Sequence, residues 1–291
     1  MKKVVLLSWL VLILAACSGG NSSEPTAEVQ PTDPVVSSAV SDIQIAVASN
    51  DFATGAPRIP FILFDGPDEV ADAQSVQVSA FDLAQETRQV GWSGAAMNYS
   101  DYEVPYWVVY PEVETAGNWG LLAKVTLADG SVVQAPFTVQ ISDQTEAPAI
   151  GSPAPPSNNR TLATEPDIAK LTSGTDPEPG LYQMTVADAL KSGRPTVVTL
   201  ATPAFCQTRI CAPVVKSVEA VYDEYNEQAN FIHLEIYKDF QTLETADEVA
   251  EWGLPSEPWT FVVNSDGIIT ARLGGPVSPR ELTEALTAIL P

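Results

Sequence analysis

Short runs of alternating apolar and polar residues fill positions 43–141. A period of two places successive side chains on opposite faces of a strand, so each run predicts a half-buried β-strand. Asp129-Gly130 lies between the last two runs and is typical of a tight hairpin turn. The pattern therefore predicts a β-sandwich. Its main strands are expected at Ile43–Val47, Ile59–Phe64, Val76–Phe81, Tyr106–Tyr110, Trp119–Leu127 and Val132–Ile141.

The segment Ala116–Leu121, followed by Val125–Gly130, resembles a strand-and-turn pattern of secreted immunoglobulin-like domains. The resemblance implies that residues 43–141 form an all-β immunoglobulin-like sandwich. Large aromatic side chains in this region are expected to fill the core or its rim, because they bury much apolar area. The region contains neither cysteine nor histidine, so it lacks the usual ligands of soft metal ions.

The pattern changes to alternating strands and helices in residues 181–291. Thr185 caps the start of a short helix and Gly193 ends it, since glycine tolerates the conformation that follows a helix. A continuous apolar run predicts a buried strand over Thr196–Ala201. Apolar residues spaced three and four apart then predict a helix. Its buried face comprises Val214, Val218, Val221, Tyr222 and Tyr225.

The rest of this region predicts another strand and helix, a hairpin and a last helix. These elements are a strand over Phe231–Tyr237, a helix over Thr242–Trp252, and an antiparallel hairpin of Trp259–Val263 with Ile268–Leu273. Strand, helix and strand in succession predict a parallel pair of strands. Ser278 and Glu281 are spaced as a capping box, in which each side chain accepts a hydrogen bond from the other residue's backbone N–H. They therefore mark the start of the last helix.

The amino terminus has the pattern of an export signal. Lys2 and Lys3 precede the apolar run Val4–Leu14, which is shorter than the ~20 residues that a membrane-spanning helix needs. Small residues then lead to Cys17. This resembles a bacterial lipoprotein signal, which implies that residues 1–16 are removed and that Cys17 carries acyl chains. The protein is therefore expected in the cell envelope, outside the cytoplasm, and held on a membrane by that lipid.

Two aperiodic stretches separate these regions. Residues 17–42 are rich in polar residues and proline, and they bury too little apolar surface to offset chain entropy. They are predicted to form a lipidated, disordered tether. Residues 142–180 are also Pro-rich and are predicted to form a linker that leads into the second domain. Within them, Gly151–Pro155 resembles the segment that precedes the first strand of thiol-dependent peroxidases and oxidoreductases.

The chain is strongly acidic, with 14 basic and 37 acidic side chains and a net charge of −23. Removal of Lys2 and Lys3 with the signal makes the mature protein more acidic still. Such a charge is repelled by phosphate backbones and by anionic headgroups. Nucleic acid is therefore excluded as a partner, and membrane contact is assigned to the lipid.

Cys206 and Cys211 are the candidate reactive residues. They lie where the strand Thr196–Ala201 runs into the following helix, and the expected oxidising compartment favours redox chemistry of such a pair. On one continuous helix their α-carbons would lie more than ~7 Å apart, beyond the usual reach of a disulfide. Residues 207–210 are therefore predicted to form a turn, with the helix starting near Cys211. Cys206, close to the helix amino terminus and to Arg209, is the predicted nucleophile, and Cys211 is the resolving residue.

The order of elements, with a cysteine after the first parallel strand, is similar to the thioredoxin-like fold over residues 195–290. Glu257–Val263, followed by two glycines, resembles that family's pattern of a cis-proline and the strand after it. The resemblance implies a cis bond before Pro258, substrate contacts from Pro258, and a protein thiol or disulfide as the partner. It implies no cofactor. Trp259, beside that proline, is expected either to shape the substrate groove with it or to cap the core. The spacing of the cysteines departs from the family's Cys-x-x-Cys, and apolar Leu200 stands where the family keeps a buried acid.

The leading interpretation is a membrane-anchored thiol-disulfide oxidoreductase or redox partner. A second is a non-catalytic, thioredoxin-like binding lipoprotein in which Cys206 and Cys211 form a permanent disulfide. A third is copper delivery, in which His233, the sole histidine, would join the two cysteines. The expected position of His233, away from the cysteine loop, argues against this third interpretation. His233 is instead expected to hydrogen-bond Glu235, and no metal ligand is assigned.

Overall fold

The computed structural model describes residues 43–87 and 89–290. The predicted signal peptide, Cys17 and the tether lie outside the described residues. The described residues belong to one compact unit. None of their helices is both long enough and apolar enough to cross a membrane.

Two antiparallel β-sheets make up the first half of the described chain. One sheet has the strand order β1-β3-β8-β7, with β4 added to β3, and the other has the order β2-β10-β9-β5-β6. The β2–β10 pair is parallel. The strands are β1 Ile43–Val47, β2 Phe52–Ala53, β3 Ile59–Asp65, β4 Asp68–Glu69, β5 Ser75–Asp82, β6 Trp92–Ala95, β7 Met97–Tyr99, β8 Tyr106–Val109, β9 Gly117–Thr126 and β10 Val132–Ser142.

The strands with the clearest alternation are those that the sequence predicts. In β10, buried and exposed residues alternate along the strand, and the buried ones face a core that both sheets share. Phe61 of β3 and Phe137 of β10 join the sheets, with their ring centroids 5.4 Å apart. Four strands were not predicted: β2, β4 and β7 have only two or three residues, and β6 has the sequence Trp-Ser-Gly-Ala, which carries a single large apolar side chain.

A four-stranded sheet with helices forms the second half. Its strand order is β12-β11-β15-β16, in which β11 and β12 are parallel, as predicted, and the other pairs are antiparallel. A small hairpin pairs β13 with β14. The elements are α1 Val186–Lys191, β11 Thr196–Ala201, α2 Cys211–Tyr225, β12 Asn230–Glu235, β13 Tyr237–Asp239, β14 Glu244–Thr245, α3 Asp247–Glu251, β15 Trp259–Val263, β16 Ile269–Gly274 and α4 Pro279–Thr287.

The prediction of a helix over Thr242–Trp252 is wrong at its start. Only Asp247–Glu251 is helical, and the preceding residues form the β13–β14 hairpin. The Asp239 carboxylate accepts hydrogen bonds from the backbone N–H groups of Gln241 and Thr242, each at 2.8 Å. Such local bonds from a side chain offer the backbone an alternative to the helix, so the turn forms instead.

Both faces of the four-stranded sheet are covered. Val197 and Val262 point toward α2 and α4, where Val214, Val218 and Leu282 complete one buried cluster. On the other face of the sheet, Val198 and Phe261 belong to a second cluster, together with Trp252. A strand that is buried on both faces has no side that faces solvent, which explains why β11 is mainly apolar and shows no alternation of buried and exposed residues.

Residues 142–180 pack on the second half. Gly151 and Ala154 bond the hairpin of β15 and β16 through their backbone groups, at 2.8 and 2.9 Å. The buried indole N–H of Trp252 donates to the Ser157 hydroxyl at 2.9 Å. Two short 3-10 helices, Ile168–Lys170 and Pro179–Tyr182, follow. This segment therefore contributes buried groups to the fold.

The two halves share a core and a buried ion pair. Tyr106 and Val108 of β8 pack in the same cluster as Val214 and Leu282 of the second half. The Arg58 side chain bridges the halves by bonding the Glu281 carboxylate through two nitrogens, each at 2.7 Å. It also donates to the carbonyl oxygens of Gly274 and Pro276. The boundaries of separate domains stay a prediction.

Candidate thiol site

A short irregular loop holds the two cysteines. Cys206 follows β11 by five residues, and Cys211 is the first residue of α2, so residues 207–210 form the turn that the sequence analysis predicts. Arg209 has a φ of 59° and lies in the left-handed region, which lets the chain reverse before the helix. This turn brings the two sulfurs together.

The sulfurs are close, but they differ in exposure. Both residues are free thiols, and their Sγ atoms lie within 4.8 Å of each other. Cys206 is partly exposed, whereas Cys211 is fully buried against Ala201 and Val215. The backbone N–H of Cys211, at the helix amino terminus, donates to Cys206 Sγ at 3.4 Å. The arrangement leaves one sulfur accessible to solvent and keeps the other beneath it.

The electrostatics also separate the two thiols. The hydrogen bond from the Cys211 thiol, assisted by Thr208, outweighs burial and lowers the pKa of Cys206 to about 5. Thr208 Oγ1 lies 3.3 Å from Cys206 Sγ. The same interaction with Cys206, followed by burial, raises the pKa of Cys211 far above its ordinary range. At neutral pH the site therefore holds a thiolate at Cys206 and a thiol at Cys211.

The source of this thiolate differs in part from the prediction. The helix amino terminus contributes through the Cys211 N–H, as expected. Arg209, however, is not among the groups that shift the pKa of Cys206, whereas Thr208 is one of them. No sequence pattern indicated Thr208, because a hydroxyl two residues from a cysteine reaches it only in this particular turn.

The predicted cis bond is present between Glu257 and Pro258. A carboxylate oxygen of Glu257 lies within 4.8 Å of both sulfurs. Burial, followed by the charges of Cys206 and Glu235, raises the pKa of Glu257 above its ordinary value. Pro258 was expected from the sequence, whereas the residue before it was overlooked. Glu257 is therefore a third polar group that the structure brings close to the two sulfurs.

Pro258 and Trp259 are both buried. The Trp259 ring is only 2% exposed, stacks on Phe261 at 5.8 Å and lies 4.7 Å from the Arg272 guanidinium carbon. In this structure Trp259 contributes to the core. The substrate contacts assigned to Pro258 and Trp259 stay a prediction.

Three aromatic residues, which were not connected at the sequence level, lie beside Cys206. Phe205, the residue before Cys206, stacks on Phe240 at 5.8 Å and meets the edge of Tyr237 at 5.9 Å. All three are partly exposed. The β13–β14 hairpin positions Tyr237 and Phe240, so the cluster depends on an element that the sequence analysis had assigned in part to a helix.

His233 does not hydrogen-bond Glu235, contrary to the expectation. Its Nε2 donates to the Ala201 carbonyl at 3.0 Å, and its Nδ1 lies 2.7 Å from the Tyr182 hydroxyl. Burial lowers the pKa of His233, so the ring is neutral and Nδ1 accepts from that hydroxyl. The Glu235 carboxylate instead accepts from the backbone and hydroxyl of Ser173, each at 2.8 Å.

This placement bears on the copper interpretation. Within the described residues, the donor atoms that come within 4.8 Å of one another belong to Cys206, Cys211 and Glu257. His233 is not in that group, and both of its ring nitrogens have partners. The set of two cysteines and one histidine is therefore not assembled in the part of the chain that the structure describes.

The chain matches no protein-family model, and no curated protein matches it. Among solved structures it is similar to a thioredoxin-family thiol:disulfide interchange protein from Chlorobium tepidum TLS, with 16% identity over 49% of this chain and 99% of that chain and a TM-score of 0.34. It is also similar to CopC from Methylosinus trichosporium OB3b. This match has 13% identity, covers 34% of this chain and 93% of that chain, and has a TM-score of 0.26.

A further similar structure is a conjugative transposon lipoprotein from Bacteroides eggerthii DSM 20697. It shares 13% identity over 34% of this chain and 96% of that chain, with a TM-score of 0.19. Identities and TM-scores at this level assign neither a family nor a function.

Proposed function

We propose that this protein is a thiol-disulfide oxidoreductase or redox partner that uses the Cys206/Cys211 pair. The observation that carries the proposal is the asymmetry of the pair: a partly exposed Cys206 with a pKa of about 5 lies within 4.8 Å of a buried Cys211 thiol. A thiolate is the reactive form of cysteine, and a buried neighbour is suited to resolve what it forms. The proposed architecture is an immunoglobulin-like sandwich over residues 43–141 and a thioredoxin-like domain over 181–291.

The chemistry runs in two exchange steps. The Cys206 thiolate attacks one sulfur of a partner protein's disulfide, and the partner's other sulfur leaves as a thiolate. Cys211 then attacks Cys206, which breaks the mixed disulfide and releases the partner's second sulfur. The partner disulfide gains two electrons and the Cys206/Cys211 pair loses them. The reverse sequence oxidises a partner dithiol.

Activity assays on cysteine variants test this function. In a Cys17→Ser background, the full chain is expected to catalyse reduction of insulin disulfides by dithiothreitol. Cys206→Ser should abolish catalysis, because the attacking sulfur is gone. Cys211→Ser should also abolish turnover but accumulate a mixed disulfide at Cys206, detectable by mass spectrometry under non-reducing conditions.

The rival is a permanent disulfide in a non-catalytic binding lipoprotein. It predicts no turnover by the unaltered pair and a reduction potential far more reducing than about −300 mV. Both results together would overturn the proposed activity. Copper delivery is not favoured by any contact of His233 in the structure.

The proposed location is the cell envelope, with the protein held on a membrane through lipid on Cys17. The support is the sequence pattern of residues 1–17. Expression in a bacterium that processes lipoproteins is expected to give a mature chain that begins at Cys17 and carries the added mass of acyl chains. Intact mass spectrometry measures this. A chain cleaved elsewhere, or one without added mass, would contradict the anchor, and Cys17→Ser serves as the unlipidated control.

A further inference from the structure

The second exchange step requires the Cys211 thiol to lose its proton. Cys211 is fully buried, and Cys206 and burial together raise its pKa. A neutral thiol is a poor nucleophile, so the attack on Cys206 needs a group that accepts this proton. Bulk water has no direct access to a sulfur that is 0% exposed.

Several nearby groups are unsuited to this task. Leu200, in the strand that leads to the cysteine loop, is apolar and buried. The Glu235 carboxylate already accepts from Ser173 and from the Ile236 N–H. One ring nitrogen of His233 hydrogen-bonds a backbone carbonyl, and the other hydrogen-bonds the Tyr182 hydroxyl.

Glu257 meets the requirement. A carboxylate oxygen lies within 4.8 Å of Cys211 Sγ, a gap that a small rotation of the Glu257 side chain closes. The described structure gives this carboxylate no hydrogen-bond partner, and the residue is partly exposed, so it can return a proton to solvent. Cys206, Cys211 and Glu235 are the titratable groups that act on it, and its raised pKa makes it a stronger base than an ordinary glutamate.

We propose that the Glu257 carboxylate is the base that takes the Cys211 thiol proton in the resolving step, an inference that rests on the proposed exchange function. The proton passes from Cys211 Sγ to a Glu257 oxygen. The Cys211 thiolate then forms a bond to Cys206 Sγ, the bond between Cys206 and the partner breaks, and the partner sulfur leaves as a thiolate. Glu257 afterwards releases the proton to water.

The same geometry favours the proton transfer from Cys211 at one stage of the reaction over another. In the reduced protein, the Cys206 thiolate raises the pKa of both Glu257 and Cys211. Once Cys206 is bonded to the partner it carries no charge, so this effect on both groups disappears. Cys206 is the largest cause of the raised pKa of Cys211 but only the second cause for Glu257, so the Cys211 proton is then held less tightly relative to Glu257. Proton transfer therefore becomes easier after the mixed disulfide has formed.

A stopped-flow reaction with 5,5'-dithiobis(2-nitrobenzoate) separates the two steps. The reduced full chain with Cys17→Ser should release one thionitrobenzoate when Cys206 attacks and a second when Cys211 resolves the mixed disulfide. Glu257→Gln is expected to leave the first phase within a few-fold of the unaltered rate and to slow the second by at least ~100-fold, the usual range for a lost general base. Glu257→Asp should restore part of the second rate, and exposed Glu251→Gln should change neither phase.

The pH profile supplies a readout that a structural role would not change. The second phase should level off once Glu257 is ionised, whereas in Glu257→Gln it should keep rising with pH. The role of Glu257 is overturned if Glu257→Gln and the protein with Glu257 intact have equal second-phase rates and pH profiles. It is also overturned if Glu257→Gln slows both phases equally. Either result leaves the exchange function intact. If the protein with Glu257 intact gives no second release, the proposed function itself fails.

Discussion

Replacing Glu281 with glutamine is expected to lower the free energy of unfolding by about 3–5 kcal/mol, the usual cost of leaving one partner of a buried ion pair alone. The side chains of Arg58 and Glu281 are only 6% and 5% exposed. Burial opposes the Arg58 charge, but Glu281 outweighs it and raises the pKa of Arg58 above its ordinary value. Glu281 also accepts from the Tyr106 hydroxyl at 2.5 Å. Loss of its charge therefore weakens both contacts and leaves the guanidinium buried without a counterion.

Urea unfolding of the full chain measures this effect, with Glu284→Gln as the matched control on the same helix. Glu284 is half exposed and lies 3.8 Å from Arg280, so its replacement should cost less than about 1 kcal/mol. The double variant Arg58→Met with Glu281→Leu should recover much of the loss, because no buried charge remains. Equal stability of Glu281→Gln and Glu284→Gln would show that the pair does not hold the two halves together.

Replacing Cys211 with alanine is expected to move the pKa of Cys206 from about 5 toward the ordinary thiol value of about 8.5. The largest cause of the low pKa is the hydrogen bond from the Cys211 thiol, which alanine cannot make. Alanine keeps the backbone N–H that donates to Cys206 Sγ, so the variant isolates the thiol's contribution. The ultraviolet absorbance of the thiolate as a function of pH measures the shift in a Cys17→Ser background.

Thr208→Val provides the graded comparison, because Thr208 is a smaller cause of the same shift. The midpoint of the Cys206 titration should therefore move less in Thr208→Val than in Cys211→Ala.

The free energy of unfolding should also depend on pH, and the sign of this dependence follows from the two pKa shifts. The lowered pKa of Cys206 makes the reduced protein gain stability as pH rises from about 5 to about 8.5. The raised pKa of Cys211 makes it lose stability above about 8.5. Cys211→Ala should flatten both slopes, and an unchanged profile would contradict the assigned hydrogen bond.

The sequence was sufficient to predict where the two cysteines lie in the fold to within a few residues. An apolar strand followed by a helical period places Cys206 and Cys211 at a strand-to-helix corner, and the reach of a disulfide requires the turn that residues 207–210 form. Pro258 was found by the resemblance of the segment around it. Glu257 and Thr208 were missed, because their roles depend on distances to sulfur that no spacing in the sequence specifies.

The division between sequence and tertiary structure is clearest at Ser278 and Glu281. The sequence predicts the start of α4, and the Ser278 hydroxyl does accept from the Glu281 N–H at 3.1 Å. The Glu281 carboxylate does not complete the capping box, because it pairs with Arg58, and the Ser278 N–H donates to the Tyr106 hydroxyl instead.

By itself, the sequence determined the elements whose signals are local: the long alternating strands, the mainly apolar β11, the starts of α1, α2 and α4, and the cysteine corner. Each follows from side-chain periodicity or from groups a few residues apart. Only the tertiary structure decided the partners of Glu281 and His233, the aromatic cluster at Phe205 and the approach of Glu257 to Cys211. These contacts join segments that are distant along the chain, so they exist only after both segments have packed against the same core.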